Sequence, residues 1–197
     1  TVMSPALADR ALCVGAWTSK ESYTAANGSP VPIPAATFDG LAPFSAHGPR
    51  LDGLAKPALC APGVAIISAR SGSAPADALE LIDDDGVFGE GSVNYQARSG
   101  TSFAAPMVAA AAALLLEAAP GLSADELEAA LIAACPEPGT PDNKRGAGRL
   151  DAQAALIAVT GAGCQPLIPS AKELSVSAGG QVDFRLEAGP ENAGRFY

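Results

Sequence analysis

The feature that most constrains the fold is a turn of small residues that runs directly into a long uncharged segment. The turn, residues 99–102, has the sequence SGTS, and no charged residue occurs from Phe103 to Leu116. An apolar segment of this length is too short to span a bilayer and fits a central core helix. A helix N-terminus carries unpaired N–H groups and partial positive charge, so this turn can present a nucleophilic hydroxyl. Ser102 is therefore the candidate nucleophile.

The neighbours of Ser102 fit the same interpretation. Gly100 has no side chain, so the backbone of a substrate can pass close to the turn. Thr101 offers a second hydroxyl beside the reacting centre. Pro106 lacks an N–H, which costs least in the opening turn of a helix, where we expect it to lie. The spacing also fits an alanine-rich core helix that is merely capped by Thr101 or Ser102, so spacing alone leaves both interpretations open.

Three blocks of the chain resemble the subtilisin-like serine peptidases. Residues 100–109, GTSFAAPMVA, are similar to the serine motif of that family, G-T-S-x-A-x-P-x-V-A. Residues 44–57, FSAHGPRLDGLAKP, followed by APGV at 61–64, resemble the family pattern F-S-x-x-G-P-x-x-D-G-x-x-K-P...A-P-G-V. Residues 12–16, LCVGA, are similar to the V-x-V-G-A strand that precedes it. The blocks occur in the order of the family and with roughly its spacing.

The resemblance implies an α/β fold, namely part of a subtilisin-like three-layer architecture with a parallel sheet, over residues 1–160. It also implies a serine endopeptidase that forms an acyl-enzyme on Ser102, with Thr101 supporting the oxyanion site. In the family, the charge-relay aspartate and histidine and the oxyanion asparagine all precede the V-x-V-G-A strand. We therefore expect these three groups upstream of this chain, and we expect its 197 residues alone to be inactive.

Within the chain, no side chain is a good candidate for the base that Ser102 requires. His47 is the only histidine. It occupies a variable position of the second block, outside the H-G-T context of the family's catalytic histidine, and is interpreted as a surface turn residue. Asp39 and Asp52 are equally poor candidates, since Asp52 is the turn aspartate of that block.

Two other classes of function are weighed against the peptidase. A non-catalytic surface or adhesive protein could retain the subtilase-like scaffold without the triad. An unrelated serine hydrolase is disfavoured because the chain has no G-x-S-x-G motif. The upstream sequence discriminates the first of these from the enzyme, since D-[ST]-G and H-G-T-H motifs there would support catalysis.

Charge and hydropathy limit the classes of partner that this chain is expected to bind. The net charge of −9 disfavours nucleic acid and anionic membrane surfaces, which would repel the chain. No uninterrupted apolar stretch reaches about eighteen residues, so we expect no membrane-spanning segment. The expected partners are protein or peptide substrates, and the resemblance implies a secreted or cell-surface bacterial protein.

The four cysteines fall into two pairs. Cys13 lies in the apolar run Ala11 to Ala16, which is bounded by charge and predicts a central parallel strand. Cys60 lies in a second short apolar run that predicts a neighbouring buried strand, and in such strands a thiol behaves as a small hydrophobe. Cys135 and Cys164 follow predicted helices and could be joined by a disulfide, which would stabilise the fold by about 3 to 4 kcal/mol. The sequence leaves that pairing open, and no C-x-x-C spacing supports zinc.

Three consecutive carboxylates, Asp83, Asp84 and Asp85, raise the question of a calcium site. They follow no EF-hand order, and a solvated acidic turn explains them equally. No cofactor is therefore predicted, although calcium is left open.

Local patterns predict the remaining elements. Asn27-Gly28 predicts one hairpin within the surface segment 18–43, and Ser123 with Glu126 predicts a capping box at the start of a helix. Residues 146–151, GAGRLD, resemble the entry to the closing helix of a subtilisin-like domain, with Asp151 as its N-cap. Beyond a linker at 161–172, alternating apolar residues between 174 and 186 predict a β-hairpin. Residues 173–197 are accordingly interpreted as the start of a truncated accessory β-domain.

Overall fold

The computed structural model describes residues 2–75, 77–83, 93–136, 142–161, 168–169 and 186–187. The chain divides into two compact units, residues 1–160 and 161–197. In the second unit, Ile168–Pro169 pairs antiparallel with Leu186–Glu187. The strand predicted around residue 174 and the turn that follows it lie outside the described residues. The assignments of 161–172 as a linker and 173–197 as a β-domain stay predictions.

The described part of the first unit contains eight short strands, followed by a long helix and two shorter helices. The strands are β1 (Val14–Thr18), β2 (Ser22–Thr24), β3 (Pro30–Pro32), β4 (Gly40–Leu41), β5 (Leu59–Pro62), β6 (Ile66–Ala69), β7 (Leu81–Ile82) and β8 (Tyr95–Arg98). The helices are α1 (Thr101–Ala118), α2 (Ala124–Ala133) and α3 (Ala152–Thr160). This mixture, with a parallel pair of strands in its centre, confirms the α/β class.

Strand β1 is the buried centre of the first sheet. It pairs parallel with β5 and antiparallel with β4, so the sheet order is β4-β1-β5. The strand predicted at 11–16 therefore exists, but it starts at Val14 and continues to Thr18. Cys13 and Cys60 are both buried, and Cys60 lies in β5, which confirms the prediction of neighbouring buried strands.

The hairpin predicted at Asn27-Gly28 is present. Strands β2 and β3 pair antiparallel, and Gly28 has a φ of 80°, a backbone angle that glycine adopts without a steric penalty. Downstream, β8 pairs antiparallel with both β6 and β7 in a second small sheet. This sheet leads directly into the turn that precedes α1.

Helix α1 packs on β1, β5 and α3 through a single stripe. Its buried residues recur at intervals of three or four positions, and they are Ala104, Val108, Ala111 and Leu115. The sequence predicted a helix buried in the core, yet Leu114 is 52% exposed and Leu116 is 39% exposed. Among the described residues, α1 is the one helix long and apolar enough to cross a membrane by length and composition, a test that core helices of soluble proteins also pass.

The two shorter helices begin as predicted. Ser123 caps α2 with a capping box, in which its Oγ accepts the Glu126 N–H at 3.3 Å and the Glu126 carboxylate accepts the Ser123 N–H at 2.8 Å. The Ser123 hydroxyl also donates to the Glu126 carboxylate at 2.7 Å, and this bond, together with the one from the Ser123 N–H, lowers the pKa of Glu126. The Asp151 carboxylate accepts the Ala154 N–H at 2.8 Å in the first turn of α3, which confirms its role as a cap.

Candidate active site

Ser102 is the second residue of α1, and its side chain is exposed. The N-cap of the helix is Gly100, and no side chain donates or accepts a capping hydrogen bond there. The prediction that Thr101 or Ser102 caps the helix is therefore wrong, although the alanine-rich helix that accompanied it is present. Both hydroxyls belong to the first turn itself, where the backbone N–H groups have no intrahelical acceptor.

The position of Pro106 differs from the expectation that it lies in the opening turn of the helix. The helix begins at Thr101, so Pro106 lies in the second turn of α1 and inside the helix. A backbone N–H at this position would donate to the Ser102 carbonyl four residues earlier, and proline has none. The first turn of α1 thus lacks one of the hydrogen bonds that ordinarily hold a helical turn in place.

A cavity of about 580 Å³ opens beside Ser102. Its wall is formed by two N-terminal segments, residues 2–6 and 11–14, together with Ala46 and the first turn of α1. Among the described residues that line it, none has a charged side chain. The nucleophile candidate therefore faces an uncharged space large enough for part of a peptide chain.

The buried Lys56 holds this wall in place. Its ammonium group donates to the Ala11 carbonyl at 2.6 Å and to the Ala8 carbonyl at 3.4 Å. Cys13 belongs to the same wall, and burial raises the pKa of its thiol, an effect that the nearby Lys56 opposes more weakly. A thiol with a raised pKa stays protonated at neutral pH, so Cys13 is a poor competing nucleophile.

The three residues considered as a base, His47, Asp39 and Asp52, form contacts with residues other than Ser102. His47 is exposed, and in the described part of the chain its side chain forms no hydrogen bond to Ser102. Asp52 pairs with Arg50, whose hydrogen bonds hold the pKa of that carboxyl well below its usual range. Among the residues that the structure describes, none of the three forms the hydrogen bond to Ser102 that a catalytic base requires.

Asp39 belongs to a cluster that sequence reasoning missed. Its carboxylate accepts the indole N–H of Trp17 at 3.2 Å and pairs with Arg149, whose guanidinium lies 5.8 Å from the centre of the Trp17 ring. The cluster joins β1, the segment before β4 and the segment before α3. Residues this far apart in the chain carry no local signal of contact, so only the structure reveals the grouping.

Two sequence-based questions stay open. Asp84, Asp85 and Cys164 lie outside the described residues, so neither the calcium site nor the Cys135–Cys164 disulfide is tested. Within the described ranges, no group of three or more His, Cys, Asp or Glu side chains is arranged to hold a metal ion.

The model of the subtilase family, Peptidase S8, matches residues 1–149. The chain belongs to the subtilase family. Its α/β architecture with a parallel pair of strands accordingly represents part of a subtilisin-like fold.

Two relatives show how much of a subtilase this chain spans. It is 34% identical over 128 residues to the serine protease AprX of Bacillus subtilis (strain 168), an overlap that covers 65% of this chain and 25% of AprX. It is 44% identical over 63 residues to the halolysin-like extracellular serine protease Nep of Natrialba magadii, covering 32% of this chain and 12% of Nep. The chain therefore corresponds to about a quarter or less of the length of either relative.

Solved structures agree on the fold. Fervidolysin from Fervidobacterium pennivorans, a keratinolytic enzyme related to subtilisin, superimposes with a TM-score of 0.54 at 24% identity, over 78% of this chain and 20% of fervidolysin. The CspB protease of Clostridium perfringens gives a TM-score of 0.54 at 22% identity, over 79% of this chain and 28% of CspB. At these identities the likeness establishes the architecture alone.

Proposed function

We propose that this subtilase chain carries the nucleophile of a serine endopeptidase, and that Ser102 is that nucleophile. The observation that carries the proposal is the position of Ser102. Its side chain is exposed in the first turn of α1, takes no part in capping the helix, and borders the uncharged cavity. The residues around it also match the serine motif of the family.

In this mechanism the Ser102 Oγ attacks the scissile carbonyl carbon while a histidine accepts the hydroxyl proton. The backbone N–H of Ser102 donates to the resulting oxyanion, because a first-turn N–H has no intrahelical acceptor. The histidine then protonates the leaving amine, the C–N bond breaks, and water hydrolyses the acyl-enzyme. Thr101 supports the oxyanion site from the preceding position.

The base must come from outside the described residues. In the described part of the chain His47 forms no hydrogen bond to Ser102, and the chain corresponds to about a quarter of the length of AprX. We propose that the charge-relay aspartate and histidine and the oxyanion asparagine lie in an upstream part of a longer protein, which we call the parent. The 197-residue chain alone is then inactive. The proposed substrates are proteins or peptides. We also propose that the parent is secreted, because its relative Nep is an extracellular protease.

The test uses the parent and a fluorophosphonate probe, which phosphonylates an activated serine with loss of fluoride. We expect one adduct, on Ser102, and we expect S102A to lose both the adduct and peptide hydrolysis, the latter by at least about 10⁴-fold. A matched control is S71A, which removes an exposed hydroxyl far along the chain from α1. An adduct on another residue would refute the site assignment. A parent that takes up no probe and lacks the upstream motifs would instead be a non-catalytic scaffold.

A further inference from the structure

Two hydrogen bonds tie the turn before Ser102 to the segment that follows β5. The Gly100 N–H donates to the Gly63 carbonyl at 2.8 Å. The Ala65 N–H donates to the Ser99 Oγ, also at 2.8 Å. We call these two bonds, between residues 63–65 and 99–100, the serine clamp. They act on the two residues that immediately precede Thr101, the first residue of α1.

The clamp is closely packed on the Gly63 side. A Cβ placed on Gly63 would lie 2.9 Å from the Gly100 carbonyl oxygen and 2.8 Å from the Cβ of Ala16, closer than real Cβ atoms approach other atoms. The glycine therefore allows the end of β5 to lie directly against the serine turn. The turn has little room to move toward β5, and the hydrogen bonds resist its movement away.

Ser99 is the one side chain in the clamp that forms a hydrogen bond. Ala65 is buried and has a φ of 48°, in the left-handed region that is unfavourable for a non-glycine residue. Because a buried N–H requires a partner, the Ser99 Oγ both satisfies this donor and helps to hold the strained residue in place. Loss of the hydroxyl would leave the Ala65 N–H buried without its acceptor.

The first turn of α1 depends on such support. It has no side-chain cap, and Pro106 cannot donate to the Ser102 carbonyl, so two of the usual restraints on a helix N-terminus are missing. The buried stripe anchors α1 only from Ala104 onward. The position of Ser102 is thus determined from its N-terminal side, by the clamp.

We propose that Ser99 is a positioning residue that fixes the Ser102 hydroxyl relative to its base and to the oxyanion donors. The proposal rests on the proposed role of Ser102 as the nucleophile. Ser99 does not touch the reacting atoms, and it acts through Ala65 and the backbone of the turn. Since a displacement of about 1 Å at a reacting centre can cost about 100-fold in rate, loss of the clamp reduces turnover without removing the nucleophile.

The experiment compares S99A, S99C and S99T in the parent with the wild type and with the control S71A. We expect S99A to lower kcat by about 10- to 100-fold with KM nearly unchanged. S99C retains the size of serine but offers a weak acceptor, so we expect a similar loss, whereas S99T restores a hydroxyl and most of kcat. S71A should behave as the wild type.

The rate of phosphonylation of Ser102 by the fluorophosphonate separates positioning from a purely structural role. We expect this rate to fall with kcat in S99A and S99C, measured well below their unfolding temperatures. A lower Tm with unchanged kcat and phosphonylation would overturn the proposal. If S99A does not fold, a folded S99C with wild-type kcat would also overturn it.

The S102A variant separates the test of Ser99 as a positioning residue from the test of Ser102 as the nucleophile. Loss of activity in S102A together with wild-type kinetics in S99A and S99C would leave the proposed function intact and refute only the positioning role. Full activity in S102A would refute the proposed function, and the clamp proposal would fall with it.

Discussion

The exposed apolar side of α1 gives a quantitative test of how the fold is completed. Leu114 is 52% exposed in the described structure, although α1 carries no charged residue before Glu117. We expect the upstream part of the parent to cover this side of the helix. Full burial of a leucine side chain is worth about 1.5 to 3 kcal/mol, so about half of that remains to be gained at Leu114 when the helix is covered.

The perturbation is Leu114→Gln in the parent, made on an S102A background so that autolysis cannot occur. If Leu114 is fully covered there, the change loses its burial energy and leaves a buried amide, which adds about 1 to 3 kcal/mol. The expected loss in the free energy of unfolding is therefore about 2.5 to 6 kcal/mol. If Leu114 stays half exposed in the parent, the change loses only about half of the burial energy, about 0.8 to 1.5 kcal/mol.

The matched control is Leu51→Gln, since the Leu51 side chain is 107% exposed on a turn. Urea unfolding followed by circular dichroism gives the free energy of unfolding of each variant, provided that the slope m stays constant. A loss at Leu114 of about 1.5 kcal/mol or less would refute the reasoning, because it would show that α1 keeps its apolar side in water in the intact protein. Leu51→Gln should change the free energy of unfolding by about 0.5 kcal/mol at most.

Three further predictions concern local structure in the same S102A parent. Ser123→Ala removes the capping box of α2 and should cost about 1 kcal/mol in urea unfolding; no measurable change would show that the box does not contribute. Gly146→Ala should destabilise more strongly, because Gly146 has a φ of 61° and a Cβ there would lie 2.2 Å from the Ala58 carbonyl oxygen; a Tm equal to that of the S102A background would contradict this. The pKa of Asp142 is lowered chiefly by the backbone N–H of Arg145, so its contribution to stability is present above the ordinary pKa of an aspartate and is lost as pH falls through the lowered value. Asp142→Asn should therefore weaken the loss of stability on acidification, and an unchanged pH profile of the urea midpoint would argue against it.

Local signals in the sequence predicted the elements that depend on local interactions. The hairpin at Asn27-Gly28 needs only a turn that tolerates a positive φ, and the capping box at Ser123 needs only residues three positions apart. Strand β1 was predicted for the same reason, because a short apolar run bounded by polar residues favours a buried strand. Its ends moved by three and two residues, since the pairing with β5 and β4, rather than the composition, determines where it starts and stops.

Contacts between distant segments were not predictable in this way. The hydrogen bond from Ala65 to Ser99 spans 34 positions, and the pair formed by Asp39 and Arg149 spans 110. Neither has a spacing that a strand or helix repeat would produce. The position of Pro106 was misjudged for a related reason, because the sequence did not show that α1 begins at Thr101 without a side-chain cap.

Helix α1 is apolar on all sides, although the described structure covers only part of its surface. A helix that is apolar all round is typical of a position with neighbours on every side. The strands β1 and β5 and the helix α3 cover one stripe of α1, and Leu114 and Leu116 lie on the uncovered part. In the parent proposed above, upstream segments would cover this surface, since the chain spans about a quarter of the length of AprX. The same segments would bring the histidine to Ser102, so we expect α1 to be covered and the catalytic site to be assembled together.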